Sequence, residues 1–513
     1  MAKKVLFFLI LSLVLSIPNA SADEAPQIRV LLFLNPSPFT ISSEGPFKLT
    51  WFTSGSNLDF SEQETIDVKT ITDSYWILLE QLDIPSAILK VTNSSSFFSS
   101  TSKPLIGEVS GTPFLLLGPY PSQDQAEASL APFQGAFPAR IQALPFALKM
   151  ETLRPYDLIW AGNNPGEAVK FEGKEPLKVN SRRYRGAVVL YLRTGDSGKE
   201  LLLLNELDLE SYLYGVVPAE MPFDWPPEAL KAQAVASRTY AFKKLQEAKM
   251  NSLPFDVDIT VSDQVYRGYE GEKESTNQAV DLTRGEVLTY QGELITAAFH
   301  SCSGGYTENN ENVWKGTPVP YLRGVPSPGE EGSKYFQWTR TVTVSSLCQK
   351  IEELKKVSLG KITQLEVLER GVSGRIKTLM VSGSTGSCTI SGEELRKVAD
   401  LPSALVSWQA DSQLKLSVLS NSGTKEINPN QAMALSSSGM QQLPSKICIL
   451  SSSGLKEEEL SSDLGEYLVF SGKGWGHGVG MPQWGAKARA EEGKSYQEIL
   501  AYYYQGVQLE KRY

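Results

Sequence analysis

A long helix with a narrow stripe of small side chains constrains the fold of this chain most strongly. Pro226 and Pro227 fall where a helix leaves its first N–H groups unbonded, and Asp224 precedes them as a candidate N-cap. Small and apolar side chains then recur with the period of one helix face, to about residue 249: Leu230, Ala234, Ser237, Ala241, Leu245 and Ala248. The pattern predicts a helix that packs closely on its neighbours.

Strand patterns lie on both sides of this helix, which predicts an α+β fold. Apolar runs bounded by turn residues occur at 28–34, 47–52, 185–192, 200–205, 361–369 and 374–381. Gln291 and Gly292 separate two further runs and are typical of a two-residue hairpin turn. The second strand of that hairpin is predicted at 293–299 and places His300 directly after its end.

Two more helices are predicted from their first turns. Ser122 is a candidate N-cap for a helix at 122–133, and Ser495 and Glu498 have the spacing of a capping box for a helix at 495–504. The segment 409–465 is Ser-rich, polar and poorly patterned. It is predicted to be a surface insertion.

Glu220 lies between two prolines. Pro218 and Pro222 are four residues apart, and a proline inside a helix removes a backbone hydrogen bond. We therefore expect Glu220 on a stiff, non-helical connection that precedes the long helix.

The chain contains only two histidines, and both lie in loops rich in small residues. His300 precedes Gly304 and Gly305, and His477 lies in a Gly-rich run that also contains Trp475. Such loops often carry function, and their backbones approach a ligand closely. The alternative is that both are buried histidines that act as hydrogen-bond spacers.

Bulk composition excludes some functions. A net charge of −9 and a pI near 5.2 argue against a nucleic-acid partner.

Four cysteines are too few for a disulfide scaffold, although one or two disulfide bridges remain possible. His300 and Cys302 share an H-x-C pattern without companion ligands, so neither a metal nor a cofactor is predicted. The length of 513 residues suggests about two to four structural units.

The N-terminus predicts export. Two lysines precede an apolar run at 5–17, and the small residues at 20–22 form a cleavage site, which together are typical of a signal peptide at 1–22. An uncleaved membrane anchor is the alternative. The mature chain is expected in the cell envelope or outside the cell.

Six segments in order resemble the SpoIID/LytB family, named for stage II sporulation protein D and the amidase enhancers. They are 207–222 (LDLESYLYGVVPAEMP), 229–241 (ALKAQAVASRTYA), 264–268 (QVYRG), 299–305 (FHSCSGG), 372–375 (VSGR) and 474–486 (GWGHGVGMPQWGA). The resemblance covers about 180–513, and the strand at 28–34 is similar to the family's opening. It implies a SpoIID-like domain of mixed strands and helices.

The resemblance implies a lytic transglycosylase that cleaves peptidoglycan glycan strands, in one branch strands free of stem peptides, or a protein that enhances a cell-wall amidase. Glu220 would be the catalytic acid. Further positions are candidates for holding the sugar, although each would equally stabilise its own loop: Gln264, Tyr266, His300, Ser301, Ser303, Trp475, His477 and Gln483. Arg238 is expected to be a structural hydrogen-bond donor.

One carboxyl group suffices for this reaction. The muramic acid's own C6 hydroxyl attacks the anomeric carbon, so no second protein nucleophile is needed. Glu220 would need a raised pKa, which burial against Met221, Phe223 and Trp225 would provide. Lys231 and Arg238 would lower that pKa if they pointed inward.

The remaining regions are less defined. Residues 23–54 are predicted as N-terminal strands and 55–179 as an inserted module, in which 114–128 loosely resembles the glycan-binding sporulation-related repeat. The chain also departs from the family pattern at five positions: Ala219, Phe299, Cys302, Pro482 and Trp484. None of them removes the proposed acid.

Overall fold

The computed structural model describes residues 24–410 and 464–513, apart from 37, 63, 94–102, 134–136, 155, 162–165, 196–197 and 261. It also describes the backbone of six strands between 416 and 459. The predicted signal peptide at 1–22, and the anchor that is its alternative, lie outside the described residues. None of the described helices is long and apolar enough to cross a bilayer.

The N-terminal region contains a seven-stranded sheet that underlies the helices of the site. Antiparallel pairing joins its strands except at one edge, where Val257–Asp258 pairs in parallel. The predicted strands at 28–34, 47–52, 185–192 and 200–205 are confirmed here. In spatial order the strands are Val257–Asp258, Gln27–Leu34, Gly198–Asp208, Ala187–Gly195, Ala168–Gly173, Phe47–Trp51 and Asn57–Phe60.

A second sheet of eight strands closes on itself. Thr65–Gln81 is long enough to pair with both Thr112–Tyr120 and Arg140–Glu151, which closes five strands into a barrel. In spatial order the strands are Arg182–Tyr184, Leu177–Val179, Phe39–Ser43, Thr65–Gln81, Thr112–Tyr120, Leu105–Val109, Asp157–Ala161 and Arg140–Glu151. The predicted α+β class with a β-rich N-terminal region is confirmed.

Strands from either side of positions 55 and 179 pair with one another. Phe47–Trp51 pairs with Ala168–Gly173 across position 55, and Ala168–Gly173 pairs with Ala187–Gly195 across position 179. Apolar side chains of both sheets enter one continuous core. The division of the chain at these two positions remains a prediction.

Ten α-helices occur among the described residues. They are α1 (Ile84–Asn93), α2 (Gln123–Leu130), α3 (Leu209–Glu220), α4 (Pro227–Met250), α5 (Glu274–Leu282), α6 (Asn310–Val313), α7 (Val344–Lys355), α8 (Gly392–Val398), α9 (Gln483–Glu491) and α10 (Tyr496–Tyr503). Short 3₁₀ turns occupy Ala131–Phe133 and Tyr269–Gly271. The predicted caps of α2 and α10 are confirmed: Ser122 accepts from the Gln125 N–H, and Ser495 forms a capping box with Glu498.

The central helix α4 is confirmed, and all six residues of its predicted stripe are buried. It packs against α3, α5, α9 and α10. The prediction of Asp224 as its N-cap is wrong, because the cap position is Pro226. An N-cap side chain binds the N–H of the second or third residue after it. From Asp224 those residues are Pro226 and Pro227, which have no N–H.

The prediction that Glu220 lies outside a helix is also wrong. Glu220 is the last residue of α3, which contains Pro218 and begins at the cap Asp208. Pro218 removes one hydrogen bond, but the buried face of α3 supplies the packing that keeps the helix formed. Pro222 follows the C-cap Met221, whose extended backbone is the conformation that a following proline favours.

The C-terminal half contains smaller sheets that hold the loops of the site. A hairpin of Glu286–Tyr290 and Glu293–Leu294 pairs with Gln508–Lys511, and Phe299–His300 pairs in parallel with Met481–Pro482. A second core lies between two three-stranded sheets, α7 and α8. These sheets are Gln337–Thr343, Tyr467–Lys473 and Val406–Ala410, and Ile362–Arg370, Ile376–Gly383 and Ser387–Ser391.

The polar segment 409–465 contains three hairpins. They are Leu416–Ser420 with Gly423–Ile427, Met433–Ser436 with Gly439–Gln442, and Lys446–Ser451 with Gly454–Glu459. Its status as a surface insertion remains a prediction.

Candidate active site

Glu220 lies where α3 ends and the loop before α4 begins. Its Oε1 accepts a hydrogen bond from the Val265 N–H at 2.8 Å. The Gln483 side chain, at the start of α9, also hydrogen-bonds the carboxyl group. Glu220 is partly exposed, whereas Met221 is buried against α4 and α5 together with Trp225. Glu220 therefore remains accessible from outside and is next in sequence to a small apolar cluster.

Burial raises the pKa of Glu220 above its ordinary value. The Val265 N–H, the Gln483 side chain and the Arg267 cation oppose this rise. The two cations considered from the sequence form other ion pairs: Lys231 with Glu228 at 2.7 Å and Arg238 with Glu210 at 2.7 Å. Desolvation is the largest influence, so the group is shifted towards the protonated form that a general acid needs.

Buried amides support the carboxyl group from beneath. Gln483 Nε2 lies 3.5 Å from Gln233 Oε1, and Gln233 Nε2 donates to Ser237 Oγ at 3.0 Å. Gln264 Nε2 approaches the Ser237 carbonyl at 3.4 Å and its Oε1 accepts from Tyr212. Since Gln233 and Ser237 lie on α4, this helix fixes the group that contacts the acid.

Gln264 and Tyr266 do not line an open surface. Gln264 is fully buried, and the Tyr266 hydroxyl donates to Asn205 Oδ1 at 2.8 Å in the core. The Tyr266 ring also lies so close to Gly215 that a Cβ there would come within 2.5 Å of it. Both side chains support α3 and the Val265 segment from inside the protein.

The two histidines form one hydrogen-bonded unit around Val479. His300 Nδ1 lies 3.1 Å from the Val479 carbonyl, which only accepts, so Nδ1 carries the proton. The Val479 N–H donates to His477 Nδ1 at 3.0 Å, so that nitrogen is unprotonated. The ring centroids are 5.3 Å apart. These contacts are those of hydrogen-bond spacers, the alternative considered from the sequence.

Both imidazoles are neutral at ordinary pH. Burial, aided by repulsion from His477 and Arg375, lowers the pKa of His300 well below its usual value. Burial lowers the pKa of His477 to about 3, and the cations of Arg396 and Arg375 act in the same direction. Neutral rings are what the contacts with Val479 require.

The unit is connected to Glu220 through the backbone. The strand Phe299–His300 pairs with Met481–Pro482, and Gln483 follows directly. The Ser301 carbonyl accepts from the Trp484 N–H at 3.1 Å. The structure therefore brings the histidine loops next to the residue that contacts the acid.

Ser303 is buried and binds a carboxylate. Its Oγ donates to Glu330 Oε1 at 2.6 Å and its N–H donates to Oε2 at 2.6 Å. The Gly304 N–H and the Cys302 thiol also donate to Oε2. No group of three or more potential metal ligands occurs among the described residues. Glu330 therefore holds the loop that follows His300.

A buried arginine and a second carboxylate attach the turn at 371–375 to the same loop. Arg375 Nη2 donates to the Ser303 carbonyl at 2.8 Å and Nη1 donates to the Tyr306 carbonyl at 3.1 Å. Glu308 accepts from the N–H groups of Val372 and Ser373, each at 3.1 Å. The motif at 372–375 thus supports the histidine loop.

Exposed aromatic rings lie near these loops. Trp475 is about one-third exposed and its ring centroid lies 4.2 Å from that of Tyr335. Trp314 is similarly exposed and lies 4.9 Å from His477. Trp225 meets Trp484 edge-on at 4.9 Å. Such rings offer flat apolar surfaces on which a sugar can stack.

Comparison with known proteins identifies the family. Residues 197–290 match the SpoIID family model, described as stage II sporulation protein. Stage II sporulation protein D of Bacillus subtilis (strain 168) is 31% identical over 324 residues, which are 60% of this chain and 75% of that protein. The chain belongs to the stage II sporulation protein D family. The resemblance predicted from the sequence motifs is thereby confirmed.

Two further proteins are similar to this chain. A protein of Brachyspira hyodysenteriae named only as uncharacterized is 32% identical over 343 residues, 67% of this chain and 76% of its own length. The amidase enhancer of Bacillus subtilis is 35% identical over 302 residues, 58% of this chain. The aligned part is only 40% of the enhancer's length. Residues 326–424 also match a domain of unknown function, DUF8618.

The SpoIID match contains Glu220 and its support from α4, whereas both histidine loops lie outside it.

Sequence reasoning missed Gln233, Arg267 and Glu330. Gln233 lies three residues after Leu230 of the buried stripe, so an amide on that face was a usable signal. Arg267 lay inside a recognised motif. Glu330 carried no signal, because its partners are distant in sequence.

Proposed function

We propose that this chain is a lytic transglycosylase that cleaves the glycan strands of peptidoglycan, with Glu220 as its acid and base. The observation that carries the proposal is the partly exposed Glu220 carboxyl group, which burial shifts towards protonation while Val265 and Gln483 fix its orientation. Such a group is suited to general acid catalysis near neutral pH. The family names sporulation protein D and amidase enhancer are consistent with a role at the cell envelope, and we propose that the chain is exported there.

Glu220 acts twice in the reaction, first as the acid and then as the base. Protonated Glu220 donates to the glycosidic oxygen as the bond to the anomeric carbon breaks. The C6 hydroxyl of the same muramic acid attacks that carbon, and the Glu220 carboxylate accepts the hydroxyl proton. The product carries a 1,6-anhydro ring, and Glu220 returns to its protonated state. A nucleophile tethered in the substrate has a high effective molarity.

The surrounding residues are proposed to shape and bind rather than to react. The neutral imidazoles of His300 and His477 hold the Val479 backbone, and Glu330 holds Ser303. Groups that are exposed or partly exposed are better placed to contact sugar, namely Trp475, Ser301 and Trp484. Gln483 orients Glu220 directly.

A second candidate function is enhancement of a cell-wall amidase without cleavage of sugar. The observation that favours it is the 35% identity to a protein named amidase enhancer. In that case the aromatic surfaces would bind glycan, and Glu220 would contribute only to binding.

Product analysis separates the two candidates. Purified protein is incubated with peptide-free glycan strands, and 1,6-anhydro ends are measured by mass spectrometry. Native protein and a Glu274→Gln control, altered at an exposed carboxyl group on α5, are expected to produce these ends, whereas Glu220→Gln is not. Glycan binding and amidase stimulation without anhydro ends would favour the enhancer. Full cleavage by Glu220→Gln would refute the assignment of the acid.

A further inference from the structure

Arg267 is an exposed cation beside the acid. It lies two residues after Val265, whose N–H donates to Glu220, and its own N–H donates to the Gly215 carbonyl of α3 at 3.3 Å. The backbone of this segment is therefore attached both to Glu220 and to the helix that carries it. The position of Arg267 is fixed relative to the carboxyl group.

The guanidinium of Arg267 forms neither an ion pair nor a hydrogen bond with the described residues. Neighbouring arginines differ: Arg183 binds Glu270 at 2.9 Å and Arg185 binds Glu272 at 2.6 Å. Carboxylates thus neutralise these two guanidinium groups, whereas Arg267 keeps its five donors available.

An unpaired cation beside Glu220 disfavours the protonated form that a general acid needs. Its positive charge lowers the pKa of Glu220, against the effect of burial. A site that needs a protonated carboxyl group would be improved if that charge were neutralised when substrate binds. The ligand expected at Arg267 is therefore an anion carried by the substrate itself.

The proposed substrate contains one such anion close to the bond that breaks. Muramic acid carries a lactyl ether whose carboxylate is free in a peptide-free strand and becomes a neutral amide when a stem peptide is attached. A guanidinium binds a carboxylate through two parallel hydrogen bonds. A lactyl amide lacks the negative charge and one of the two acceptor oxygens.

We propose that Arg267 binds the free lactyl carboxylate of a muramic acid residue at the Glu220 site and so determines selectivity for glycan without stem peptides. This inference rests on the proposed function. Because the bound carboxylate neutralises Arg267, the same contact favours protonation of Glu220 in the complex. Selectivity and activation of the acid thus arise from one ion pair.

Binding to the non-cleaving Glu220→Gln protein tests the contact without turnover. Three oligosaccharides of equal length are titrated by calorimetry: one with free lactyl carboxylates, one with lactyl amides, and one containing only N-acetylglucosamine. Adding Arg267→Gln is expected to weaken binding of the first about tenfold, the size expected for one charged hydrogen-bonded contact, and to leave the other two unchanged. Arg267→Lys should retain part of the difference. Arg340→Gln, an exposed arginine on the strand Gln337–Thr343, is the control.

A second readout uses the active enzyme. Arg267→Gln removes a charge that lowers the pKa of Glu220, so the fall of kcat/KM with rising pH is expected to move to higher pH. An equal loss of affinity for all three ligands, or no loss for any of them, would overturn the role of Arg267 alone. If none of the three ligands binds and native protein yields no anhydro ends, the proposed function fails together with this inference.

Discussion

Glu220 and Glu330 are carboxyl groups of the same site region with opposite environments. Glu330 is fully buried and accepts four hydrogen bonds, from Ser303, Gly304 and Cys302. Glu220 is partly exposed and accepts one from a backbone N–H and one from Gln483. A saturated carboxylate holds structure, whereas a desolvated group with few donors keeps a proton available.

The histidine loops resemble the Glu330 region in part, although His300 Nε2 is buried and has no hydrogen-bond partner among the described residues. Both imidazoles use ring nitrogens to bind Val479, and burial keeps them neutral. The difference between the two regions teaches that burial alone does not identify a reactive group. Partial exposure together with a raised pKa marks Glu220 as the candidate reactive group.

The largest expected effect tests the proposed role of Glu220 as the general acid. Replacing Glu220 by Gln removes the transferable proton but keeps the size and hydrogen-bonding shape of the side chain. We expect cleavage to fall about 100- to 10,000-fold, the usual contribution of a positioned general acid. The rate of appearance of 1,6-anhydro ends measures this. A loss below about threefold would show that Glu220 does not transfer the proton.

The second largest expected effect tests the structural role of Glu330. In Glu330→Gln, an amide NH₂ replaces an oxygen that faces N–H, O–H and S–H donors, which leaves buried groups unpaired. We expect the free energy of unfolding to fall by about 2–3 kcal/mol in urea titrations. The exposed neighbour provides the control, since Glu331→Gln is expected to change stability by less than about 0.5 kcal/mol. Equal stability of both variants would contradict a structural role for Glu330.

The third effect is the pH dependence of the histidine loops. The folded-state pKa values of His300 and His477 are lowered, so the folded protein binds fewer protons than the unfolded chain, whose histidines titrate near about 6.5. Stability is therefore lost as the pH falls from about 6.5 towards 3, by at most about 1.4 kcal/mol per pH unit for each ring. The difference in unfolding free energy between native protein and His477→Asn, measured from pH 7 to 4, isolates one ring. A difference that does not change with pH would argue against a buried neutral His477.

The smallest expected effect is the pH dependence of stability that Glu220 contributes, which has the opposite sign to that of the histidines. Burial raises the pKa of Glu220 above its unfolded value, so the folded protein binds more protons than the unfolded chain. Ionisation of this group therefore costs stability as the pH rises above about 4.5. We expect Glu220→Gln to gain stability relative to native protein over this range, by less than about 1.4 kcal/mol per pH unit. Thermal unfolding at pH 5 and pH 7 checks the trend, and a relative loss with rising pH would contradict a desolvated carboxyl group.

Much of the fold was predictable because its signals are local. The stripe of α4, the capping box at Ser495 and the hairpin turn at Gln291 each depend on residues close in sequence. Errors arose where tertiary packing outweighed a local rule. Pro218 lies inside α3 because the buried face of that helix compensates for the lost hydrogen bond.

The candidate site was only partly predictable for the same reason. Motifs pointed to Glu220 and Gln483, which the structure brings into contact. The same motifs suggested sugar contacts for Gln264 and Tyr266, but both lie inside the protein. A motif records which residue types occur together and does not say which of them face the solvent.

The sequence by itself determined the α+β class, the close-packed central helix, the family and the identity of the proposed acid, because periodicity, caps and motifs are properties of neighbouring residues. Tertiary structure alone decided which groups keep free hydrogen-bonding capacity. It brought Glu330 to Ser303 and Val479 between two imidazoles, and it left Arg267 unpaired beside Glu220 among the residues described. Desolvation and hydrogen-bond saturation depend on contacts between distant segments, and these exist only once the chain has folded.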